Sequence, residues 1–288
     1  MKDRNAEIKI IVSMAIFGTI APFVRYIPLS SGEVALCRAI LAVLLIGVFL
    51  LVSKNTISFD KIKKQIPLLI VSGAALAFNW ILLFEAYKYT TVSMATLCYY
   101  FAPVLVTLIC PIVFKERITG KQIICSVMST VGIVLIIDIK DIFGGSNNIV
   151  GILFGLGAAI LYATVVILNK FGKEVGGIQR TFFEFVAAVI ILLPYVFFTS
   201  GYNVTTLDIK GLVALIIVGL VHTGITYCMY FSSLDELTGQ KTAILSYIDP
   251  LVAILVSVLI LNESMNISQI IGGILVLGFT LINEIELR

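Results

Sequence analysis

Charge is scarce in this chain. Only 13% of its 288 residues are Asp, Glu, Lys or Arg, where a soluble domain carries about 25%. Hydrophobic residues make up 59% and mean hydropathy is +1.09, more apolar surface than one water-facing fold can hide. Histidine occurs once, at His222, which excludes a two-histidine metal site. There is no HExxH, no Walker-type glycine loop and no CxxC pair. Cys37, Cys98, Cys110, Cys125 and Cys228 all lie in apolar stretches without metal-ligand spacing, so they read as small packing hydrophobes. No metal, cofactor, enzymatic activity or nucleic-acid partner is expected. No loop is large enough for an ATPase domain, which leaves an ion gradient, exchange or the solute's own gradient as energy source.

Apolar blocks take the place of charge. Ten can be drawn, at 8–27, 33–53, 66–87, 91–114, 120–137, 149–169, 178–198, 210–232, 240–261 and 268–285. Their length suits a helical crossing of about 30 Å of hydrocarbon, and they lack the alternation of barrel strands. Backbone groups in lipid must bond within the segment, so the blocks read as helices. The expected fold class is an all-α polytopic membrane protein with ten transmembrane helices. With the N-terminus inside, fifteen Lys and Arg fall on the inner side. Only Arg25, Lys88, Lys140 and Lys210 fall outside, and Arg38 lies within a helix. That asymmetry places both termini in the cytoplasm, and the first block reads as a retained span, not a signal peptide. Ser30, Thr119 and Ser268 are candidate caps of blocks two, five and ten.

One pattern occurs twice at an offset of 147 residues. Tyr100 and Pro103, followed by Glu116, match Tyr247 and Pro250, followed by Glu263; Thr91 matches Thr238, and Gln122 matches Gln269. Residues 143–148 form the central connector, dividing the chain into 1–144 and 145–288. Each unit holds five helices, an odd number, so the second enters the membrane from the opposite side. Inverted five-helix repeats recur in secondary transporters, with substrate held between them near mid-depth. The stretch 84–90, Ala102-Pro103, Glu116 and the run ending 132–136, with Pro250, Glu263 and Gly272-Gly273 in the second unit, resemble EamA-type members of the drug/metabolite transporter superfamily. That resemblance spans the chain. It implies a transporter fold and leaves the substrate open among amino acids, cations, sugars, nucleotide derivatives and drugs.

Candidate site residues follow from what lipid disfavours. Ionisable groups inside spans cost at least a few kcal/mol unless they face a cavity or partner. Arg38, Glu85, Glu184, His222 and Asp249 lie within blocks. Asp249 leads, because it sits at mid-helix beside Pro250, which frees a carbonyl one turn back. Its counterpart in the first unit is Ala102, so the acid is not shared scaffold. His222 is a candidate proton-linked group. Arg38 and Glu184 fall at near-equivalent positions and could pair or hold the two ends of a zwitterion, whereas Glu85 suits a surface pair with Lys88. Asn79, Trp80, Tyr99, Tyr100, Tyr227 and Tyr247 line the expected path, and Pro103 and Pro250 are expected to let helices four and nine flex. Glu116 and Glu263 read as helix-end carboxylates that complement backbone N–H groups.

The expected function is a secondary transporter of a small amphipathic metabolite, an amino acid or organic amine, in a cytoplasmic (inner) membrane. It is read as proton-linked, with export as one direction, and as a monomer or homodimer in the lipid bilayer. A facilitative or exchange carrier is the alternative; a lipid carrier or membrane sensor would be a different class.

Overall fold

The computed structural model describes residues 2–53, 59–115, 117–137, 147–172, 175–234, 237 and 239–285. Glu116, Thr238 and most of the central connector lie outside the described residues. All regular structure among the described residues is helical. Eight stretches of the described residues are long and apolar enough to cross a membrane, and Gly120–Ile136 and Ile244–Leu259 are shorter apolar helices.

The first stretch is α1 (Lys2–Gly18) followed, after a break at Thr19, by α2 (Ile20–Arg25). Pro22 cannot donate to the carbonyl one turn back, which accounts for the break. Next come α3 (Ser31–Val52) and α4 (Phe59–Tyr89). The fourth stretch divides into α5 (Val92–Tyr99) and α6 (Ala102–Phe114) just before Pro103. α7 (Gly120–Ile136), α8 (Asn147–Phe171) and α9 (Gly177–Thr199) follow. α10 (Ile209–Ile216) passes through a π-helical segment (Ile217–Ile225) into α11 (Thr226–Leu234). The ninth stretch divides before Pro250 into α12 (Gly239–Ser246) and α13 (Ile248–Leu259), and α14 (Ile267–Glu284) closes the chain.

Capping chemistry sets several starts. Ser30 and Thr119 each close a capping box, with Glu33 and Gln122 reaching back. The cap expected from Ser268 belongs to Asn266 instead, whose side chain accepts from Gln269 N–H at 2.8 Å. Its backbone N–H bonds Gln269 Oε1 at 3.0 Å, so the helix starts one residue earlier than the apolar pattern suggests. Asn266→Ala is expected to lower stability by about 1 kcal/mol, read as a small fall in thermal midpoint in detergent. Asn147 and Asn148, expected in the connector, already belong to α8. Thr90 donates to Asn148 Oδ1 at 3.2 Å, and Gly151 packs directly on Thr90.

Helix contacts come in matched sets. α4 packs on α8 as α11 packs on α1; α5 and α6 pack on α8 as α13 packs on α1; α9 meets α4 as α3 meets the π segment. α7 crosses α14 where a Cβ on Gly132 would sit 2.7 Å from the Gly272 carbonyl, and one on Gly272 2.6 Å from that of Gly132. Only glycine allows backbones this close, and such close contact is what binds helices to each other in lipid.

Candidate functional site

The two breaks before Pro103 and Pro250 face each other. Tyr100 caps the end of α5, and its hydroxyl donates to Asp249 Oδ2 at 2.6 Å, 149 residues away. The Tyr100 and Tyr247 rings lie 6.3 Å apart, so both repeated tyrosines and Asp249 meet. Tyr99 stands edge-on to Tyr100 with centroids 5.8 Å apart, and lies 5.4 Å from Tyr162. Tyr162 is 37% exposed, and Asp249, Tyr99 and Tyr100 keep partial exposure. At 2.6 Å this is a short O–H···O bond from a phenol to a carboxyl group.

Asp249 is positioned by α1. A Cβ on Gly18 would lie 2.6 Å from the Asp249 carbonyl oxygen and 2.7 Å from Val252 Cβ, so glycine is needed for this approach. Gly18 ends α1, and the next residue, Thr19, sits 3.0 Å from His222 Nε2. Thr19 Oγ1 also lies 2.8 Å from Ile16 O, so its hydroxyl stands between the helix backbone and the histidine ring. His222 Nδ1 lies 3.3 Å from Ile217 O, and its ring packs on Phe23.

His222 belongs to the π segment, where i→i−5 spacing turns carbonyls toward hydroxyls. Thr223 donates to Val218 O at 2.8 Å and Thr226 to Val221 O at 2.7 Å. Gly219 and Gly224 take Leu41 and Leu45 of α3 against their backbone. π turns inside helices are frequent at functional sites. Thr223, having donated, accepts from Arg38 Nε–H at 3.1 Å.

Arg38 is 4% exposed. Its guanidinium carbon stands 4.4 Å from the Trp80 ring centre and 5.3 Å from that of Phe84. Desolvated cation–π contacts of this type contribute about 2 kcal/mol. Trp80 packs edge-on against Phe185, which packs on Tyr227, which in turn meets Phe17 beside Gly18. The ring of contacts therefore closes on the α1 break.

Glu184 and Arg38 do not pair. Glu184 Oε1 accepts from Ser72 at 2.7 Å, at the place where Gly73 brings α4 against the backbone of α9. Asn79 donates to Ala158 O at 2.6 Å, which ties α4 to α8. Glu85 takes Lys88 at 3.0 Å, as its spacing suggested.

Glu263 does more than complement a helix end. It pairs with Arg25 at 2.5 Å, and its Oε2 accepts from Val92 N–H at 2.8 Å and Ser257 Oγ at 2.5 Å. The orphan N–H it satisfies belongs to α5 and not to α14. Arg25 also donates to the Tyr87 and Thr90 carbonyls, so one end of the bundle is tied across α2, α4, α5 and α13. At the other end Lys241 pairs with Glu7. Arg25→Gln is expected to cost about 1 kcal/mol, since the arginine is one-third exposed. Glu263→Gln should cost roughly 2–3 kcal/mol by also weakening two charge-assisted bonds. A double-mutant cycle on thermal unfolding in detergent checks both; purely additive effects would show that the pair is not coupled.

Thr19, Thr223, Phe17, Phe185, Tyr162 and Ser72 were not singled out by sequence. Polar Thr and Ser inside apolar blocks were the available signal, and they are too common there to stand out.

Eight long apolar helices around buried charges define a multi-pass membrane protein, and the comparisons narrow this further. The profile of the EamA-like transporter family matches residues 4–138 and again 149–283, and the chain belongs to that family. It is similar to the "Uncharacterized transporter YxxF" of Bacillus subtilis (strain 168), 29% identical over 277 residues, covering 94% of this chain and 87% of that protein. "Protein PecM" of Dickeya dadantii (strain 3937) is 25% identical over 185 residues, 62% of this chain and 60% of that one. A "Probable amino-acid metabolite efflux pump" of Escherichia coli (strain K12) is 24% identical over 186 residues, 61% of each. One solved crystal structure superposes with a TM-score of 0.66 at 14% identity, covering 96% of both chains, a likeness of fold.

Proposed function

We propose that the chain is a secondary transporter carrying a small amphipathic amine or amino acid across a cytoplasmic membrane by alternating access, with proton linkage and export as its direction. Ten crossings would form two inverted repeats, 1–144 and 145–288, with both termini in the cytoplasm. The two family matches and the paired helix contacts support that division. The observation that carries the reading is the Tyr100–Asp249 bond at 2.6 Å, made where two equivalent helices break. A carboxylate there can take an amine or a proton, and the tyrosines around it offer ring faces to a cation. The breaks before Pro103 and Pro250 are where α5–α6 and α12–α13 would bend as access alternates. In this conformation Arg25–Glu263 ties the end read as extracellular. The amino-acid metabolite pump among the relatives agrees with this cargo class.

Purified protein in liposomes, loaded with radiolabelled amino acids or amines under an imposed pH gradient, tests the reading. Gradient-dependent flux is the expected result. Flux that ignores the gradient would remove proton linkage and leave a facilitative or exchange carrier.

A further inference from the structure

Arg38 is a buried cation with no counter-charge paired to it among the described residues. Nε–H bonds only the hydroxyl of Thr223. Its two terminal amino groups, four N–H donors in a planar fork, make no hydrogen bond among the described residues. Buried Glu33 and Glu184 and part-buried Asp249 are each committed elsewhere. Glu184 holds Ser72, Asp249 holds Tyr100, and Glu33 holds Ser30 and the Asn203 N–H. Trp80 and Phe84 shield the guanidinium face but supply no negative charge. An arginine so placed is strongly disfavoured unless an anion completes it.

The position also matters. Arg38 reaches the α1 break through Thr223, whose neighbour His222 bonds Thr19; Asp249 reaches the same break through Gly18. Ring contacts run from Trp80, beside Arg38, through Phe185 and Tyr227 to Phe17, the neighbour of Gly18, against which the Asp249 backbone carbonyl packs.

We propose that Arg38 is an anion subsite that takes the carboxylate of the cargo, so that the transported molecule is an α-amino acid or similar zwitterion and not a simple amine. This rests on the transporter reading above and narrows its substrate class. The fork of Arg38 offers two parallel N–H bonds, the geometry that selects a carboxylate.

Trp80, the chain's only tryptophan, stacks on this guanidinium and reports on it by fluorescence. Solubilised protein is titrated with two matched pairs, leucine against 3-methylbutylamine and phenylalanine against phenethylamine, and flux of the same four is measured in liposomes. In the wild type the amino acid of at least one pair is expected to shift Trp80 emission and bind roughly tenfold or more tightly than its amine. Arg38→Gln should bring the two affinities together, whereas Arg38→Lys should keep part of the preference. The wild-type comparison decides even if Arg38→Gln fails to fold. Amines that bind and cross as well as amino acids would overturn the subsite and leave the transporter reading standing, as would a preference that survives in Arg38→Gln. If none of the four binds or crosses, the proposed cargo class falls with it.

Discussion

Asp249→Asn is expected to uncouple flux from the pH gradient and to lower substrate affinity roughly tenfold to hundredfold. The side chain keeps its shape and an oxygen for the Tyr100 hydroxyl, so the bond observed at 2.6 Å can persist in neutral form. What disappears is the charge. A hydrogen bond to a charged group contributes about 1.5–3 kcal/mol, and each 1.4 kcal/mol is about tenfold in affinity. The neutral side chain also has no proton to exchange. Thermal stability should change little, which separates this variant from one that simply misfolds. Unchanged flux with an unchanged gradient response would exclude Asp249 from coupling and from binding.

Gly18→Val is the second large effect. Its Cβ would sit 2.6 Å from the Asp249 carbonyl oxygen and 2.7 Å from Val252 Cβ, and real Cβ atoms do not approach that closely. Either α1 moves off α13 or α13 bends, and overpacking of this type costs about 1–3 kcal/mol. Displacing α1 also draws Thr19 away from His222, which lies 3.0 Å from it now. The expected result is a thermal midpoint lowered by several degrees together with loss of transport, and Gly18→Ala should show a weaker form of both. A valine variant with normal stability and flux would mean that α1 and α13 separate freely at this point.

These two expectations differ in how they could have been found. Asp249 was visible in the sequence, because an acid beside a proline in the middle of an apolar stretch stands out on composition alone. Gly18 was not, since most of the apolar stretches carry glycine and only the one packed against the Asp249 carbonyl matters here. The same contrast runs through the rest of the site. His222 and Arg38 stood out as ionisable groups in apolar blocks, while Thr19 and Thr223, which bond them, looked like ordinary small residues.

Helix positions and the interruptions at Pro103 and Pro250 were legible because they depend on neighbours along the chain, whereas the break at Thr19 and the π segment were not. Apolar blocks as long as the hydrocarbon is thick must be helical, and a proline removes the hydrogen bond one turn back, although α4, α6 and α9 run unbroken through Pro67, Pro111 and Pro194. The breaks before Pro103 and Pro250 and the capping boxes at Ser30 and Thr119 therefore followed from local sequence. Partners across the bundle were not legible. Glu263 resembled a cap for the helix after it, yet it holds Arg25 and the start of α5. Arg38 and Glu184 suggested a pair, yet each lies against a different helix contact. In a chain this uniformly apolar, hydropathy does not fix how each helix is rotated. That rotation is decided by where small residues such as Gly18, Gly73, Gly132 and Gly272 let backbones touch, and only tertiary packing settles it.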